Sequence, residues 1–560
     1  MKTGRWYSFA LLSLFFAALM LRLILPLEYS VWGPDTGENY YIAKFFAVNG
    51  RMPLPYYGFG TTYTEFPIVY QLVASVSRIT GISVAAASEL SMPFLTSTLV
   101  FPIAGIAVAI TERRSVGVLS ALFYATSVPI IGHTSIIASD TIGEVILIFF
   151  IYFYMRSGRD RMMTAIALAT AVAMVPSYHL GTVMLLLFLY CVLFYYSFWK
   201  RDNSTELLKS IVFISVITTI TWAYWLTQAP NFVSVFILHN PHLAIEEAIS
   251  APYIFMFLVF ILGNFFQRQP HALVAKRTEM RKEYYYTVSI IGSAAVAFIA
   301  YTGVQSVPLY PSAFTLLEIP TVVFTLFGFA SFLFLLRKEK RAWPIGIMTS
   351  ATAAIIAAGV LTNIPYLVPE RVIEYLLLTM ATFAGYGMVD ALSKVGKRAR
   401  TGVALSVIIL LVLAAGFSTA LVTSTTTPSK VGASPAGDIS ASVWLRTNTP
   451  PSATVASDHR LSSIVFGFSG RNATWEKGGY PIFTSSNPGE LYAGLNSSQT
   501  PSGNKTIDYL LLDTYMMEGG NFYPNQTAIP VSPFVLNTIQ GGNFILLYSN
   551  GLATVYAYSP

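Results

Sequence analysis

Long apolar runs separated by short polar stretches dominate the first 421 residues, and about 20 such residues are what a helix needs to cross a bilayer core. Thirteen runs approach that length, at approximately 6–27, 91–110, 115–131, 141–155, 162–178, 181–199, 209–228, 251–266, 285–302, 315–336, 344–361, 372–390 and 402–421. Inside lipid a backbone must satisfy its own polar groups, so each run predicts an α-helix. The first run follows Lys2 and Arg5 as a signal peptide would, but it is long and has no small-residue cleavage site, so it reads as a retained helix. Two segments break the pattern. One is a long loop, 28–90, well beyond the usual length of a helix connection. The other is the tail. There a flexible Ser/Thr/Pro-rich linker, 422–435, leads into 436–560, where Asp438 is placed to cap a helix reaching Arg446. TVASD at 454–458 and DYLLLD at 508–513 read as strands, and 544–558 reads as a hairpin turning at Ser549-Asn550-Gly551. The predicted fold class is an α-helical polytopic membrane protein of about 13 transmembrane helices with a small C-terminal extracytoplasmic α/β domain. Its expected parts are a transmembrane domain 1–421, the linker 422–435 and the α/β domain 436–560.

Composition agrees. Charged residues are 11% and hydrophobic residues 54% of the 560, with a mean hydropathy of +0.58, which excludes a water-soluble globule and a disordered chain. The net charge of +7 does not mark a nucleic-acid partner, because the basic residues are spread over many loops. Most of the 34 Lys and Arg fall in every second loop, including Arg113 and Arg114, Arg156 to Arg161, and Arg337 to Arg341. The positive-inside rule then puts the N-terminus in the cytoplasm and the 28–90 loop and the tail outside. Four Asn-x-Ser/Thr sequons, at Asn472, Asn496, Asn504 and Asn525, lie in that tail, while Asn203 falls in a loop expected inside. The single cysteine, Cys191, excludes an internal disulfide.

Ionisable residues near membrane depth are costly, so those on the outer side are functional candidates. Asp35 follows the first helix at a Gly-Pro turn, with Glu38, Tyr41 and later Glu65 in the same loop. Asp35 can equally cap a helix beginning near Glu38. Asp140 and Glu144 are four apart and share one helical face. His179 and Arg371 stand at outer helix ends, where a structural histidine and a salt bridge from Arg371 to Glu370 or Glu374 are the plainer readings. Together, carboxylates able to take a proton and an arginine able to grip a phosphate suit transfer of a sugar from a lipid phosphate.

At these residues the sequence resembles the GT-C class of membrane glycosyltransferases. Asp35, Tyr41, Ala43, Gly50 and Pro53 match its first-loop pattern, and Glu65 with Pro67 resembles an element of the lipid A aminoarabinose and protein mannosyltransferase branch, with Phe66 where that branch commonly has Lys. The segment Val443 to Pro450 resembles the lead-in to the WWDYG motif of oligosaccharyltransferases, but the motif is replaced by Val455-Ala456-Ser457-Asp458-His459-Arg460. The resemblance implies a polyprenyl-phosphate sugar donor, a glycan, lipid or protein acceptor, and an inverting displacement. It implies Asp35 as the catalytic base and Glu38 and Glu65 as secondary acids. Tyr41, His179 and Arg371 would bind the substrate or its phosphate, and Asp140 and Glu144 would bind Mg²⁺ or Mn²⁺. Two other readings stand beside it: a secondary transporter or flippase of lipid-linked sugars, which calls for a polar site at mid-depth, and a non-catalytic membrane scaffold.

Overall fold

The computed structural model describes residues 2–29, 31–33, 35–56, 58–158, 160–198, 204–239, 244–268, 319–362, 369–395, 402, 406–416, 434–474, 476–522, 527–541 and 543–559. The predicted span 285–302, the sequons at Asn203 and Asn525 and most of the linker lie outside the described residues.

Where described, the other predicted spans fall largely on helix. The chain runs α1 (Lys2–Tyr29), α2 (Thr36–Asn49), α3 (Ile68–Thr80), α4 (Val84–Ser97), α5 (Val100–Thr111), α6 (Arg114–Thr126), α7 (Val128–Thr134), α8 (Ser139–Ser157), α9 (Arg161–Met174) and α10 (His179–Phe198). It continues through α11 (Ser204–Gln228), α12 (Pro230–His239), α13 (Ile245–Arg268), α14 (Ile319–Lys338), α15 (Trp343–Thr362), α16 (Pro369–Lys394) and α17 (Ser406–Gly416). Seven described segments, one of them α4 and α5 together, are long and apolar enough to cross a membrane, or eight if the bent pair α6 and α7 is one span. The protein is a multi-pass membrane protein with a helical body and a C-terminal sheet.

The loop 28–90 is not a bare loop, since it holds α2 and α3 and about the first two turns of α4. Its apolar residues Ile42, Ala43, Val69, Tyr70 and Val73 pack with Ala87, Met92, Ile137 and Ile142 of α4 and the start of α8, so the loop is pinned to the end of the bundle. The break between α6 and α7 bends the chain by 64°. It frees carbonyls inside an apolar body, and Arg22 of α1, fully buried, meets that need. The Arg22 guanidinium donates to the Thr134 hydroxyl at 2.9 Å and to the Tyr124 carbonyl at 3.5 Å, and lies 4.6 Å over the Tyr124 ring. The bend aims α7 at the loop end of the bundle.

The tail forms α18 (Ala436–Asn448) and α19 (His459–Ile464) around a five-stranded sheet of order β2-β1-β5-β9-β8. The strands are β1 (Thr454–Ala456), β2 (Asn472–Ala473), β5 (Tyr509–Asp513), β8 (Phe544–Ser549) and β9 (Ala553–Tyr558), with short β3 (Ser498–Thr500), β4 (Gly503–Lys505), β6 (Gly520–Phe522) and β7 (Thr527–Ile529) beside them. β1 pairs in parallel with β2 and β5, while β5–β9 and β9–β8 are antiparallel. The hairpin predicted over 544–558 is present, and its turn needs the left-handed φ of +85° that Gly551 supplies. One expectation is corrected: Asp438 does not cap α18, where Pro435 holds the cap position. Asp438 is fully buried and pairs with Arg460 at 2.5 Å, and Arg460 also pairs with Asp513 at 2.5 Å. Two carboxylates drawn from α18 and β5 thus converge on one guanidinium at the second residue of α19.

This staple matters because α19 and the π-turn after it (Val465–Ser469) dock on α2. The ring of Tyr40 stacks on Phe468 at 4.3 Å and Tyr41 meets Phe466 at 4.8 Å. The Glu38 amide donates to the Ser463 hydroxyl at 3.1 Å. A Cβ on Gly37 would clash with the Ser463 backbone of α19, and one on Gly467 with the Gly37 backbone of α2. A further backbone bond, 2.9 Å from the Ser434 amide to the Val31 carbonyl, ties the start of the tail to the chain just after α1.

Candidate active site

Asp35 occupies the N-cap position of α2, yet its side chain makes no cap hydrogen bond. The capping role is therefore not what the carboxylate does. One oxygen accepts from the Tyr63 hydroxyl at 2.8 Å and the other lies 3.4 Å from His459 Nε2, with 37% of the side chain still exposed. Burial pushes its carboxyl up, but the hydrogen bond and charge of His459, the Tyr63 hydroxyl and the charge of Arg371 outweigh it and hold it below the usual carboxylate range. Asp35 is an ionised base at neutral pH.

Glu38 lies almost one turn further along α2 and is buried. It accepts from the Tyr56 hydroxyl and, at 2.9 Å, from the Gly60 amide. Burial dominates, only partly offset by the Tyr56 hydrogen bond, and with the nearby Asp35 charge it pushes Glu38 up to about 7. Two carboxyls on one helix turn are thus driven in opposite directions, the usual way a site separates a base from a proton reservoir.

Glu65 has a different job. Its two oxygens accept the amides of Asn231 at 2.9 Å and Phe232 at 2.8 Å, the unpaired donors of the first turn of α12. The Tyr224 hydroxyl takes its carbonyl at 2.7 Å, so Glu65 clamps the loop to α11 and α12. His179 sits in an aromatic box, with ring centroids 5.4 Å from Phe66, 4.8 Å from Tyr178 and 4.6 Å from Phe232, and its Nδ1 is buried without a hydrogen-bond partner. Arg371, the third residue of α16, lies within electrostatic reach of Tyr178, Asp140, Tyr63 and Asp35, and His179 within reach of Arg371 and Asp140.

Asp140 and Glu144 share a face of α8 and meet His133, the penultimate residue of α7, whose Nε2 is 3.4 Å from Asp140 and 3.7 Å from Glu144. The His133 Nδ1 is 2.9 Å from Glu374 of α16. One ligand atom each from His133, Glu144 and Glu374 lie within 4.8 Å of one another, which is close enough to hold a metal ion.

The structure therefore gathers Asp35, Glu38, Asp140, Glu144, His179 and Arg371 at one end of the bundle. Tyr41 is turned toward Phe466 and Glu65 toward α12. The sequence reading missed Tyr63, His459 and His133, and offered Glu374 only as an ion-pair partner of Arg371. His133 had a usable signal, a polar side chain within an apolar helical run. His459 had only its place after Asp458, which caps α19 through the Leu461 amide at 2.8 Å.

No protein-family model and no curated protein matches the sequence. Among solved structures, ArnT from Cupriavidus metallidurans bound to undecaprenyl phosphate is 13% identical, with a TM-score of 0.50 over 98% of this chain and 97% of ArnT. The chain has the GT-C fold. The mycobacterial arabinofuranosyltransferase AftD is 15% identical, with a TM-score of 0.44 over 99% of this chain and 40% of AftD.

Proposed function

We propose that this chain is a membrane glycosyltransferase that moves a sugar from a polyprenyl-phosphate donor to an acceptor hydroxyl on the extracytoplasmic face. The observation that carries the reading is Asp35, held ionised by Tyr63 and His459, within electrostatic reach of Arg371. The likeness to ArnT, solved with undecaprenyl phosphate, supports a donor of that class. In this reading Asp35 takes the proton of the acceptor hydroxyl. The new bond forms at the anomeric carbon as the bond to the lipid phosphate breaks, and the phosphate leaves with the electron pair toward Arg371, with inversion. Tyr63 and His459 keep the base in place, and Glu65 and His179 brace the floor that α12 makes under the loop.

The N-terminus is cytoplasmic in this reading, and the loop and residues 436–560 are outside, as the basic loops require. A transporter would call for its polar groups at mid-depth. Here Asp35, Asp140 and Arg371 stand at helix starts, which favours a site open to the membrane surface. The test is transfer from a panel of radiolabelled polyprenyl-phosphate sugars by the purified chain in lipid nanodiscs. Label should move to an acceptor with wild type and not with Asp35→Asn; turnover unchanged by that substitution would remove Asp35 from the chemistry.

A further inference from the structure

In the tail nearly every large apolar side chain is covered, and the exceptions are few. Among its described residues, those left exposed are Ile545 (58%), Leu546 (53%) and Leu547 (43%) of β8, and Met517 (40%). The other exposed large apolar residues lie on α1–α17 or in the 28–90 loop, most of them on helices that lipid surrounds. β8 is the end strand of the five-stranded sheet, with β9 as its strand neighbour among the described residues. A register shift between Leu546 and Tyr548 leaves Leu547 without a partner on β9, so three consecutive apolar residues stay outside the core.

Edge strands are ordinarily guarded by a charge or a proline. β8 has neither, and from Gly519 to Pro560 the sequence holds no Asp, Glu, Lys, Arg or His. An unguarded apolar edge calls for a surface that covers it.

Position and size say what that surface is. The turn after β8 reaches the Tyr29 end of α1. There the Asn550 side-chain amide donates to the Gly437 carbonyl at 2.8 Å, and three residues before Gly437 the Ser434 amide bonds to Val31, just beyond the span Arg5–Tyr29. The short helix Thr514–Gly519, which carries Met517, brings Tyr515 within electrostatic reach of Tyr29 as well. Both exposed patches thus belong to elements that rest on the end of a membrane-spanning helix. Next to the β8 run, Trp444 stacks on Tyr548 at 5.3 Å, and Trp and Tyr are the residues that bilayer interfaces favour. Three side chains at about half exposure offer on the order of 300 Å², so a two-fold pair of edges would bury about 600 Å² against the roughly 1,200 Å² of a stable protein interface. That is too little for a second copy, whereas a bilayer needs no matching partner.

We propose that the β8 edge, through Ile545, Leu546 and Leu547, dips into the lipid leaflet at the Tyr29 end of α1 and holds the tail down on the membrane. Interfacial segments of this kind sink about 5–10 Å into the boundary between headgroups and acyl chains. With no basic residue on the strand, the attraction is apolar and does not depend on anionic lipid. The contact is separate from Asp35 and exists whether or not the chain transfers sugar.

The test uses the full chain with Cys191→Ala, and Leu546→Cys carrying a bimane fluorophore, in nanodiscs that hold one chain each. Lipids brominated near the top of the acyl chain should quench the label roughly twofold relative to unbrominated ones, equally in phosphatidylcholine and phosphatidylglycerol. The same label at Lys505→Cys, on the exposed strand β4, should be unaffected. If Leu546→Cys fails to fold, as judged by size-exclusion profile, Ile545→Cys carries the same expectation. Labels on β8 that brominated lipid leaves unquenched would overturn the proposal, and disulfide-linked pairs of Leu546→Cys chains in discs holding two would then assign the edge to a second copy. Quenching confined to phosphatidylglycerol would overturn it too, since that would mark an electrostatic contact.

Discussion

The two carboxylate groups at the loop end of the bundle solve opposite problems. Around Asp35 and Glu38, donors arrive from the loop (Tyr56, Gly60, Tyr63) and the tail (His459), so each acid has a set partner. Around Glu144, the neighbours are Asp140 and Glu374 with one imidazole among them. The first group lies at a seam between two parts of the chain, where Asp35 keeps exposure while Glu38 is buried; the second is enclosed by α7, α8 and α16. A group that must exchange protons with a substrate profits from hydroxyls and a surface.

The sharpest way to break the comparison is Asp35→Asn, which keeps shape and removes the base: turnover should fall by roughly 10²- to 10⁴-fold in a sugar-transfer assay, with an unchanged size-exclusion profile. Next is Arg460→Met. It strands Asp438 and Asp513 as buried unpaired carboxylates, so the tail should lose about 3–5 kcal/mol, measured by chemical denaturation or protease susceptibility. Gly467→Ala should cost roughly 1–3 kcal/mol of docking between tail and loop through overlap with Gly37, read as faster proteolysis at 28–90. His459→Gln removes a group that lowers Asp35, so the acidic limb of the pH–rate profile should move to higher pH while turnover on the plateau changes much less than in Asp35→Asn.

The smallest effect belongs to Glu38. Its folded carboxyl sits at about 7 against an ordinary 4.5, so between those values the native state holds a proton the unfolded chain has released. Stability should therefore fall as pH rises through that window and level off above it. Glu38→Gln should flatten the slope, seen by thermal unfolding at several pH values. Asp35 runs the other way: its contribution is present above the ordinary carboxylate range and is lost as pH falls through its lowered folded value.

Much of the helical body could be read from the chain because an apolar run in lipid has almost one structural solution. Asp35 and Arg371 were legible because charge at that depth is rare. The bend after α6 had a local signal in Pro129, in the first turn of α7, but the compensating Arg22 lies more than 100 residues away and had none. Asp438 illustrates another limit: next to a helix start it reads as a cap, and only the buried Arg460 shows its true partner. His459 was hidden for the same reason, because docking of α19 on α2 joins distant segments through aromatic stacking and two glycines.

That seam sets an order of events during biosynthesis. Glu38 and Ser463 touch across 425 positions of chain, so the ribosome must deliver nearly the whole polypeptide before the first-made loop finds its partner. A product released early would carry Asp35 and Glu38 but lack His459 and Ser463, the partners that the tail brings to them.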